Sequence, residues 1–399
     1  MKIKFLGAVG TVTGSGYVLT ANSGASILID LGMFQGPEEV ENLNYAGLEL
    51  DAEKLSGVIL THAHLDHCGR LPMIMRMGFT GSVFMTPPTA NLTYLSLLDS
   101  AKIAAEDHPE NILYNSIDVE NLVNKFLIFS YHEKFKIDEF EIVFRDAGHI
   151  LGSASVEIIV DGQKIVFSGD LGNTPEPLAK PTEKINQADI VVMESTYGDR
   201  MHPEGVASDI VCDEINMIEN NQGTLLIPAF SLERTQEILH IISHLKSQNR
   251  VKRETAVFLD SPMAEKATEI YEKYVSFMND EIKADFSRAN PFDFPGLRVT
   301  KDRKESLKIA KLNAAKVIIA GGGMMTGGRI VSHARQFLGK SSTRLLIVGY
   351  QGEGTLGRKL LERQPVVRIG QQQIQVTAHI TDIQTMSSHA DQGQLMNWL

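Results

Sequence analysis

The stretch that decides the fold of this chain is Thr61-His62-Ala63-His64-Leu65-Asp66-His67. It follows a short apolar run that reads as a β-strand and precedes a segment that reads as a helix. In an extended segment, side chains two residues apart point the same way, so His62 and His64 can reach one metal ion. On a helix the two would project roughly 200° apart. The turn that follows can aim Asp66 and His67 at a second ion.

Metal binding is the best interpretation of this pattern. Neutral imidazole and carboxylate are the ligands of open, catalytic zinc sites, at about 2.0–2.2 Å from the ion. With 12 histidines in 399 residues, a chance cluster of this density is a poor explanation. A structural metal site is the alternative, but structural zinc usually recruits cysteine. The chain has two cysteines, Cys68 and Cys212, and we expect Cys68 to be a packed thiol.

Composition indicates a soluble globular protein of two domains, or of one domain with a large insertion. The chain is 43% hydrophobic and 22% charged, and its sequence holds no apolar run of membrane-spanning length. The first residues read as a strand rather than as a signal peptide. Two cysteines give no disulfide framework, which suits a reducing compartment, so we expect a cytoplasmic location.

The charge is acidic as a whole and basic in one segment. The formal net charge of −11 argues mildly against an unspecific polyanion binder. Between Gly321 and Arg363, however, seven Lys and Arg stand against two Glu. This segment can attract phosphates, and a solvated basic face is the equal alternative.

Four more residues with metal or proton chemistry stand at the ends of apparent strands. Asp30 ends a strand and is a candidate for orienting a ligand histidine, with a strand-end cap as the alternative. His149 and Asp170 have glycine beside them, where side chains can line a site. Glu194 ends a further strand and opens the segment Glu194-Ser195-Thr196-Tyr197-Gly198-Asp199-Arg200.

The order of these motifs resembles the β-CASP nucleases of the metallo-β-lactamase fold, which include the cleavage-and-polyadenylation-factor endonuclease. The resemblance continues through essentially the whole chain, in the segments Ile227-Pro228-Ala229-Phe230-Ser231-Leu232-Glu233-Arg234, Leu259-Asp260-Ser261-Pro262-Met263-Ala264, Gly322-Gly323-Met324-Met325-Thr326-Gly327-Gly328-Arg329, Val348-Gly349-Tyr350-Gln351-Gly352 and Ser387-Ser388-His389-Ala390-Asp391.

The resemblance implies an α/β fold, a metallo-β-lactamase αββα sandwich with an inserted β-CASP α/β domain. We expect residues 1–201 and 364–399 to form the first domain and residues 202–363 the insert. Strands and helices alternate along the insert, which by itself predicts a parallel sheet with crossover helices.

The resemblance also implies a site with two zinc ions per chain. His62, His64 and His149 hold one ion, Asp66 and His67 hold the other, and Asp170 bridges them. Asp66 orients the attacking water, and His389, hydrogen-bonded to Glu194, is the proton donor. Candidates for substrate contacts, with surface salt bridges as the alternative for the arginines, are Arg200, Arg234, Arg329, Ser387 and Ser388.

One family feature is absent from the sequence. The family places a further histidine after the position of His389, and the sequence ends at Leu399 before reaching it. Either the sequence is truncated there or the protein lacks that ligand, and the second zinc site is then incomplete.

The predicted function is a zinc-dependent ribonuclease that hydrolyses RNA phosphodiester bonds, most simply as an endonuclease, with single-stranded RNA as the partner and no membrane. A 5′→3′ exonuclease mode stays open, as does the oligomeric state. The alternatives are a DNA-processing nuclease of the same fold and a catalytically weak RNA-binding pseudoenzyme.

Overall fold

The computed structural model describes residues 1–107 and 109–399, and the chain divides into two compact units. Unit 1 comprises Met1–Met201 and Ser388–Leu399, and unit 2 comprises His202–Ser387. Residues 364–387, which the sequence assigned to the first domain, therefore lie in unit 2. The physical reason is strand pairing, because His379–Asp382 pairs in parallel with Thr343–Ile347 within the sheet of unit 2.

Unit 1 is built on two sheets. Its strands are β1 (Lys2–Phe5), β2 (Gly16–Thr20), β3 (Ser26–Leu31), β4 (Leu55–Ile59), β5 (Ser82–Met85), β6 (Phe126–Ile128), β7 (Lys134–Ile137), β8 (Phe140–Asp146), β9 (Ala154–Val160), β10 (Gln163–Phe167) and β11 (Ile190–Val192). Its helices before residue 201 are α1 (Glu38–Glu41), α2 (Leu65–Cys68), α3 (Met73–Arg76), α4 (Pro87–Asp107) and α5 (Ser116–Val123). One sheet has the order β1-β2-β3-β4-β5-β6 and the other the order β11-β10-β9-β8-β7.

The two sheets of unit 1 pack face to face. Ile29 and Phe84 of the first sheet join Phe144 and Phe167 of the second in one buried core. Alternate residues point to opposite faces of a strand, so the neighbouring Leu28 turns to a second core that α4 and α5 cover. Packing on both faces of the first sheet therefore holds the carboxyl ends of its strands in place.

Unit 2 is a parallel sheet with helices between its strands, as its sequence predicted. Its elements are α6 (Ala207–Asn221), β12 (Thr224–Ala229), α7 (Arg234–Ser247), β13 (Ala256–Asp260), α8 (Pro262–Lys273), α9 (Asp280–Arg288), β14 (Leu297–Val299), α10 (Arg303–Ile309), β15 (Lys316–Gly321), α11 (Arg329–Phe337), β16 (Thr343–Ile347), α12 (Leu356–Leu361), β17 (Val366–Ile369), β18 (Gln372–Gln375) and β19 (His379–Asp382). The sheet order is β14-β13-β15-β12-β16-β19, with every pair parallel, and β17 and β18 form a separate hairpin.

The chain then returns to unit 1 for its last helix, α13 (Gln392–Trp398). Leu395 and Trp398 of this helix pack with Leu171 and Met193, which follow β10 and β11. The return is made by two isolated bridges, between Gly172 and His389 and between Tyr197 and Asp391. These bridges hold His389 beside the strand ends of the second sheet.

Turn and cap residues fix the local geometry of unit 1. Asp161 and Gly162 adopt φ angles of 53° and 75° between β9 and β10, a tight hairpin turn of the kind that Asp-Gly favours. The cap of α5 is Asn115, whose side chain accepts hydrogen bonds from the first turn, and Asp118 completes the capping box by accepting from the backbone N–H of Asn115.

Over the residues that the structure describes, every helix falls short of the length and apolar character that crossing a bilayer demands.

Candidate metal centre

The segment between β4 and α2 bends at Ala63 and enters the helix after His64, whose own backbone is extended. His64 is the N-terminal cap residue of α2, with φ −68° and ψ 145°. The start of α2 is held by backbone hydrogen bonds from Ser15 to Asp66 (2.9 Å) and from Met33 to Leu65 (2.7 Å). A Cβ atom at position 32 would lie 1.5 Å from the Asp66 carbonyl oxygen, so only glycine allows this approach.

Three imidazole nitrogens converge on one point in unit 1. His64 Nδ1 lies 3.2 Å from His62 Nε2 and 3.1 Å from His149 Nε2. The carboxylate of Asp170 faces them, with Oδ2 at 3.5 Å from the Nε2 atoms of both His62 and His149. One ligand atom of each of these four side chains lies within 4.8 Å of the others.

Asp170 also faces a second group. Its other oxygen, Oδ1, lies 3.1 Å from His67 Nε2, and Asp66 Oδ2 lies 3.9 Å from the same nitrogen. The two oxygens of one carboxylate thus point to two neighbouring sets of ligand atoms. We refer to His62, His64, Asp66, His67, His149 and Asp170 as the histidine cluster.

Hydrogen bonds to the ring nitrogens that face away from the cluster orient His62 and His67. His67 Nδ1 donates to Asp30 Oδ2 at 2.7 Å, and Thr61 Oγ1 donates to the same oxygen at 2.8 Å. His62 Nδ1 lies 3.1 Å from Thr61 Oγ1. Each Nδ1 that donates outward leaves the Nε2 lone pair directed into the cluster. Asp30 is 1% exposed and holds this position with a left-handed backbone at φ 55°.

His149 is oriented from the last segment of unit 1. Its Nδ1 donates to the backbone carbonyl of Ser388 at 2.9 Å. The loop that carries His149 meets the loop after β10 closely, because a Cβ atom at position 172 would lie 1.8 Å from the Gly148 carbonyl oxygen. Glycine at position 172 therefore lets the two ligand loops pack backbone against backbone.

The protonation of the three converging imidazoles suits cation binding. Burial lowers the pKa of His62 and of His64 well below the ordinary value and lowers the pKa of His149 to about 4. These imidazoles are therefore neutral at pH 7, the form that binds metal. At His67, burial lowers the pKa, but Asp170 and Asp30 outweigh it and raise that pKa well above its ordinary value. Burial raises the pKa of Asp170, but the neighbouring His67 and His62 outweigh it and hold that pKa well below its usual range.

His389 lies beside the histidine cluster with a carboxylate partner. Its Nδ1 donates to Glu194 Oε2 at 3.2 Å and lies 3.9 Å from Asp170 Oδ2. Burial lowers the pKa of His389, but Glu194 and Asp170 outweigh it and raise that pKa to about 9. Glu194 also accepts from the backbone N–H of Leu171 at 2.5 Å, which fixes its carboxylate. His389 is thus a proton-carrying group at neutral pH.

Zinc fits the donor set of the histidine cluster. Ligand atoms around tetrahedral zinc are about 3.3 Å apart when the bonds are about 2.0–2.1 Å long. The separations of 3.1–3.2 Å between the nitrogens of His62, His64 and His149 are close to that value. Neutral nitrogen lone pairs facing one another stabilise nothing by themselves, so their convergence is best explained by a cation between them.

The predicted substrate residues fall in different surroundings. The guanidinium of Arg200 is exposed and bonded to Asp199 at 2.8 and 2.9 Å. Arg234 and Arg329 belong to unit 2, where Arg234 is buried in an ion pair with Glu237 and Arg329 binds Asp260 at 2.6 Å. Ser388 lies in unit 1, where its backbone carbonyl accepts from His149, and Ser387 is the last residue of unit 2.

Two contributors escaped the sequence prediction. Thr61 joins Asp30 and His62 through its hydroxyl, and its place at the head of the His-rich stretch was the available signal. The backbone carbonyl of Ser388 orients His149, a contact separate from the substrate contact that was predicted for this residue. No sequence pattern reports which backbone carbonyl a distant ring will meet.

Comparison with known proteins gives two family matches. Residues 9–115 match the family model described as the Metallo-beta-lactamase superfamily, and residues 235–360 match the Beta-Casp domain. The two matched segments lie on either side of the boundary between unit 1 and unit 2.

Similar proteins of known name are consistent with these matches. Ribonuclease TTHA0252 of Thermus thermophilus is 36% identical over 403 residues, covering 100% of this chain and 90% of that protein. An RNase J-like protein of Methanocaldococcus jannaschii is 29% identical over 379 residues, covering 94% of this chain and 83% of that protein.

A solved structure shares the fold. A protein of unknown function from Enterococcus faecalis V583 superposes with a TM-score of 0.57 at 12% identity, covering 99% of this chain and 90% of that one. The extent and identity of the Thermus match, with both domain matches, decide the family. The chain belongs to the β-CASP family of the metallo-beta-lactamase superfamily.

Proposed function

We propose that this chain is a metal-dependent ribonuclease that hydrolyses RNA phosphodiester bonds, most simply as an endonuclease. The observation that carries the proposal is the convergence of the histidine cluster beside the His389–Glu194 pair. The similar proteins that bear the names ribonuclease and RNase J-like support RNA as the substrate.

The proposed cofactor is two zinc ions per chain. His62, His64 and His149 would hold one ion, Asp66 and His67 the other, and Asp170, whose two oxygens face both groups, would bind both. Bound zinc supplies an ionised water at neutral pH and neutralises charge on a phosphate.

The protein's own side chains then handle two protons. Burial raises the pKa of Asp66, which makes this carboxylate a better acceptor for a proton from the attacking water. His389 gives a proton from Nε2 to the leaving oxygen, since its Nδ1 faces Glu194. Glu194 stabilises the charged ring before the transfer and fixes its orientation.

We further propose single-stranded RNA as the substrate. In unit 2, Phe230 follows β12 and Tyr350 follows the adjacent parallel strand β16, with 40% and 66% of their surfaces exposed. The Phe230 ring lies against Gly323, where a Cβ atom would come within 2.8 Å of the ring. Exposed aromatic rings stack on unpaired bases, at about 1–3 kcal/mol per base. Arg200 and the exposed basic residues from 321 to 363, such as Lys340 and Lys359, are the proposed phosphate contacts, whereas Arg329 and Arg344 are engaged with Asp260 and Glu214.

A cytoplasmic location completes the proposal. Cys68 and Cys212 are both free and buried, and burial raises the pKa of the Cys68 thiol well above its ordinary value. Thiols in this state suit a reducing compartment.

The test is cleavage of end-labelled single-stranded RNA and of DNA of the same sequence, with metal content measured in parallel. Removal of the His64 ligand atom in His64→Ala should lower RNA cleavage about a thousandfold or more, because several kcal/mol of charge stabilisation are lost. Bound zinc should fall with it. The matched control is His379→Ala, which removes an exposed histidine of unit 2.

The products separate the alternatives. Internal fragments from RNA with DNA left intact support the proposal, whereas faster cleavage of DNA would replace it with a DNA-processing role. Metal-loaded wild type that binds RNA and never cuts it would indicate a pseudoenzyme. Cleavage that survives unchanged in His64→Ala would overturn the assignment of the site.

A further inference from the structure

A second group of metal-binding side chains lies within unit 2. His240 and His244 stand one helical turn apart on α7, and Asp285 faces them from α9. Asp285 Oδ2 lies 2.8 Å from His240 Nε2 and 2.7 Å from His244 Nε2. Residues four apart share one face of a helix, so both rings point at the same carboxylate. Neither the family motifs nor the proposed reaction uses these residues.

We propose that His240, His244 and Asp285, here called the α7–α9 cluster, bind a divalent first-row cation such as zinc. One ligand atom from each of the three side chains lies within 4.8 Å of the others. Two imidazoles and one carboxylate suit zinc and its neighbours, whereas magnesium and calcium prefer oxygen ligands alone. A cation in this position fastens α9 to α7.

The three side chains of the α7–α9 cluster would need to move only slightly to bind an ion. Ligand atoms around tetrahedral zinc stand about 3.3 Å apart. The nitrogen-to-oxygen distances of 2.7 and 2.8 Å would therefore widen by about half an ångström when the ion takes the place between them. Each neutral ring would then carry its proton on Nδ1 and direct the Nε2 lone pair at the ion.

The position of the cluster allows a cation to enter. The side chain of His240 is 6% exposed, while those of Asp285 and His244 are 15% and 34% exposed. The site thus has a buried inner ligand and an open outer side where water can complete the coordination. Glu281 stands one turn before Asp285 on α9, and its charge acts on His240, so a further carboxylate is at hand.

Helix α9 has little apolar packing of its own, so a metal cross-link to α7 would stabilise it. Among the nine residues of Asp280–Arg288, Ile282 is buried, and the helix otherwise presents intermediate or exposed side chains. A helix that buries so little apolar surface gains little from the hydrophobic effect. A metal ligand on each helix adds a strong cross-link. The proposed role is structural, and it does not depend on the proposed ribonuclease activity.

The test counts zinc in the full-length protein. Wild type, His244→Ala, Asp285→Asn and the control His379→Ala are equilibrated with Zn²⁺, desalted and measured by mass spectrometry. We expect His244→Ala and Asp285→Asn each to hold one zinc fewer per chain than wild type. His379→Ala, which removes an exposed histidine of the same unit, should hold the wild-type number.

Thermal unfolding with and without EDTA checks that the variants fold. Without metal, Asp285→Asn keeps an oxygen that accepts an imidazole N–H, so its midpoint should stay near that of wild type. With zinc, only wild type and the control should show the full rise in midpoint. Variants that hold as much zinc as wild type would overturn the proposal. A zinc-dependent rise in midpoint that is as large in Asp285→Asn as in wild type would likewise reduce the α7–α9 cluster to a pair of hydrogen bonds.

Discussion

The histidine cluster of unit 1 and the surroundings of a buried carboxylate in unit 2 both combine histidine with aspartate, but only the second is paired fully within the protein. Asp260, at the end of β13, is 0% exposed and accepts from Arg329 Nη1 and His333 Nε2, both at 2.6 Å. It also accepts from Ser306 Oγ at 2.5 Å and from Thr300. We call these five residues the Asp260 cluster. Here one acceptor meets four donors, and the charges are balanced by the protein itself.

The histidine cluster is not balanced in this way. His62, His64 and His149 bring three nitrogen lone pairs together, and Asp170 alone faces them as an anion. The difference teaches how to separate a structural buried cluster from a binding site. In the first every charge has a complementary partner, whereas in the second like groups face one another around a point that needs a cation. The same substitution in each cluster tests this distinction.

The largest effect is expected from Asp170→Asn. The carboxylate faces both groups of ligand atoms, so its replacement by a neutral amide should remove zinc and lower RNA cleavage about a thousandfold. In EDTA, the midpoint of thermal unfolding of Asp170→Asn should differ little from that of wild type. That difference should be smaller than the rise in midpoint that zinc produces in wild type. Cleavage and metal content that stay at wild-type levels would show that the histidine cluster, like the Asp260 cluster, does not bind metal.

The next effect is expected from Asp260→Asn, and on stability rather than on metal. Removing one partner of a buried ion pair leaves Arg329 and His333 facing an amide, at about 3–5 kcal/mol in the free energy of unfolding. Urea unfolding measures this loss, and zinc content should stay unchanged. The control is Asp209→Asn, which breaks an exposed pair with Arg250 and should cost about 1 kcal/mol or less. Equal losses in the two variants would show that the Asp260 cluster is not a structural support.

A smaller effect, on pH dependence, is expected from Glu194→Gln. His389 is protonated below its pKa of about 9, so cleavage should fall as the pH rises through that value. Without the Glu194 charge the pKa of His389 moves toward its ordinary value, and the alkaline limb should shift down by about 2 pH units. The measurement is kcat at saturating RNA across this range, with Glu183→Gln, which removes the partner of exposed His132, as the control. An alkaline limb that does not move would show that Glu194 does not set the pKa of the proton donor.

The predicted fold of unit 1 and the predicted members of the histidine cluster came from motifs that resemble a known family, and the His-rich stretch among these motifs is a local signal. His62 and His64 stand two residues apart after a strand, and Asp170 and Glu194 end strands of one sheet. The parallel sheet of unit 2 followed from alternating strands and helices. These features depend on residues near one another in the chain, where periodicity and turn residues carry information.

What the sequence did not predict depends on long-range pairing. Strands β17 to β19 were not predicted, and within them Gln372–Gln375 lacks an apolar alternation, so the packing of residues 364–387 with unit 2 was not foreseen. The partners of Asp260 come from two helices and a loop, and each is an ordinary residue in its own surroundings. His240 and Asp285 likewise meet only after two helices have packed. Contacts of this kind are fixed by tertiary structure rather than by local pattern.

The return of the chain to unit 1 at Ser388 has a consequence for protein synthesis. His62 to Asp170 leave the ribosome first, whereas His389 follows only after the whole of unit 2 has been translated. At about 5–20 residues per second, a nascent chain spends about 10 s or more in that condition. Under the proposed mechanism the nascent chain lacks its proton donor during this time, so the messenger that encodes it would be spared from cleavage.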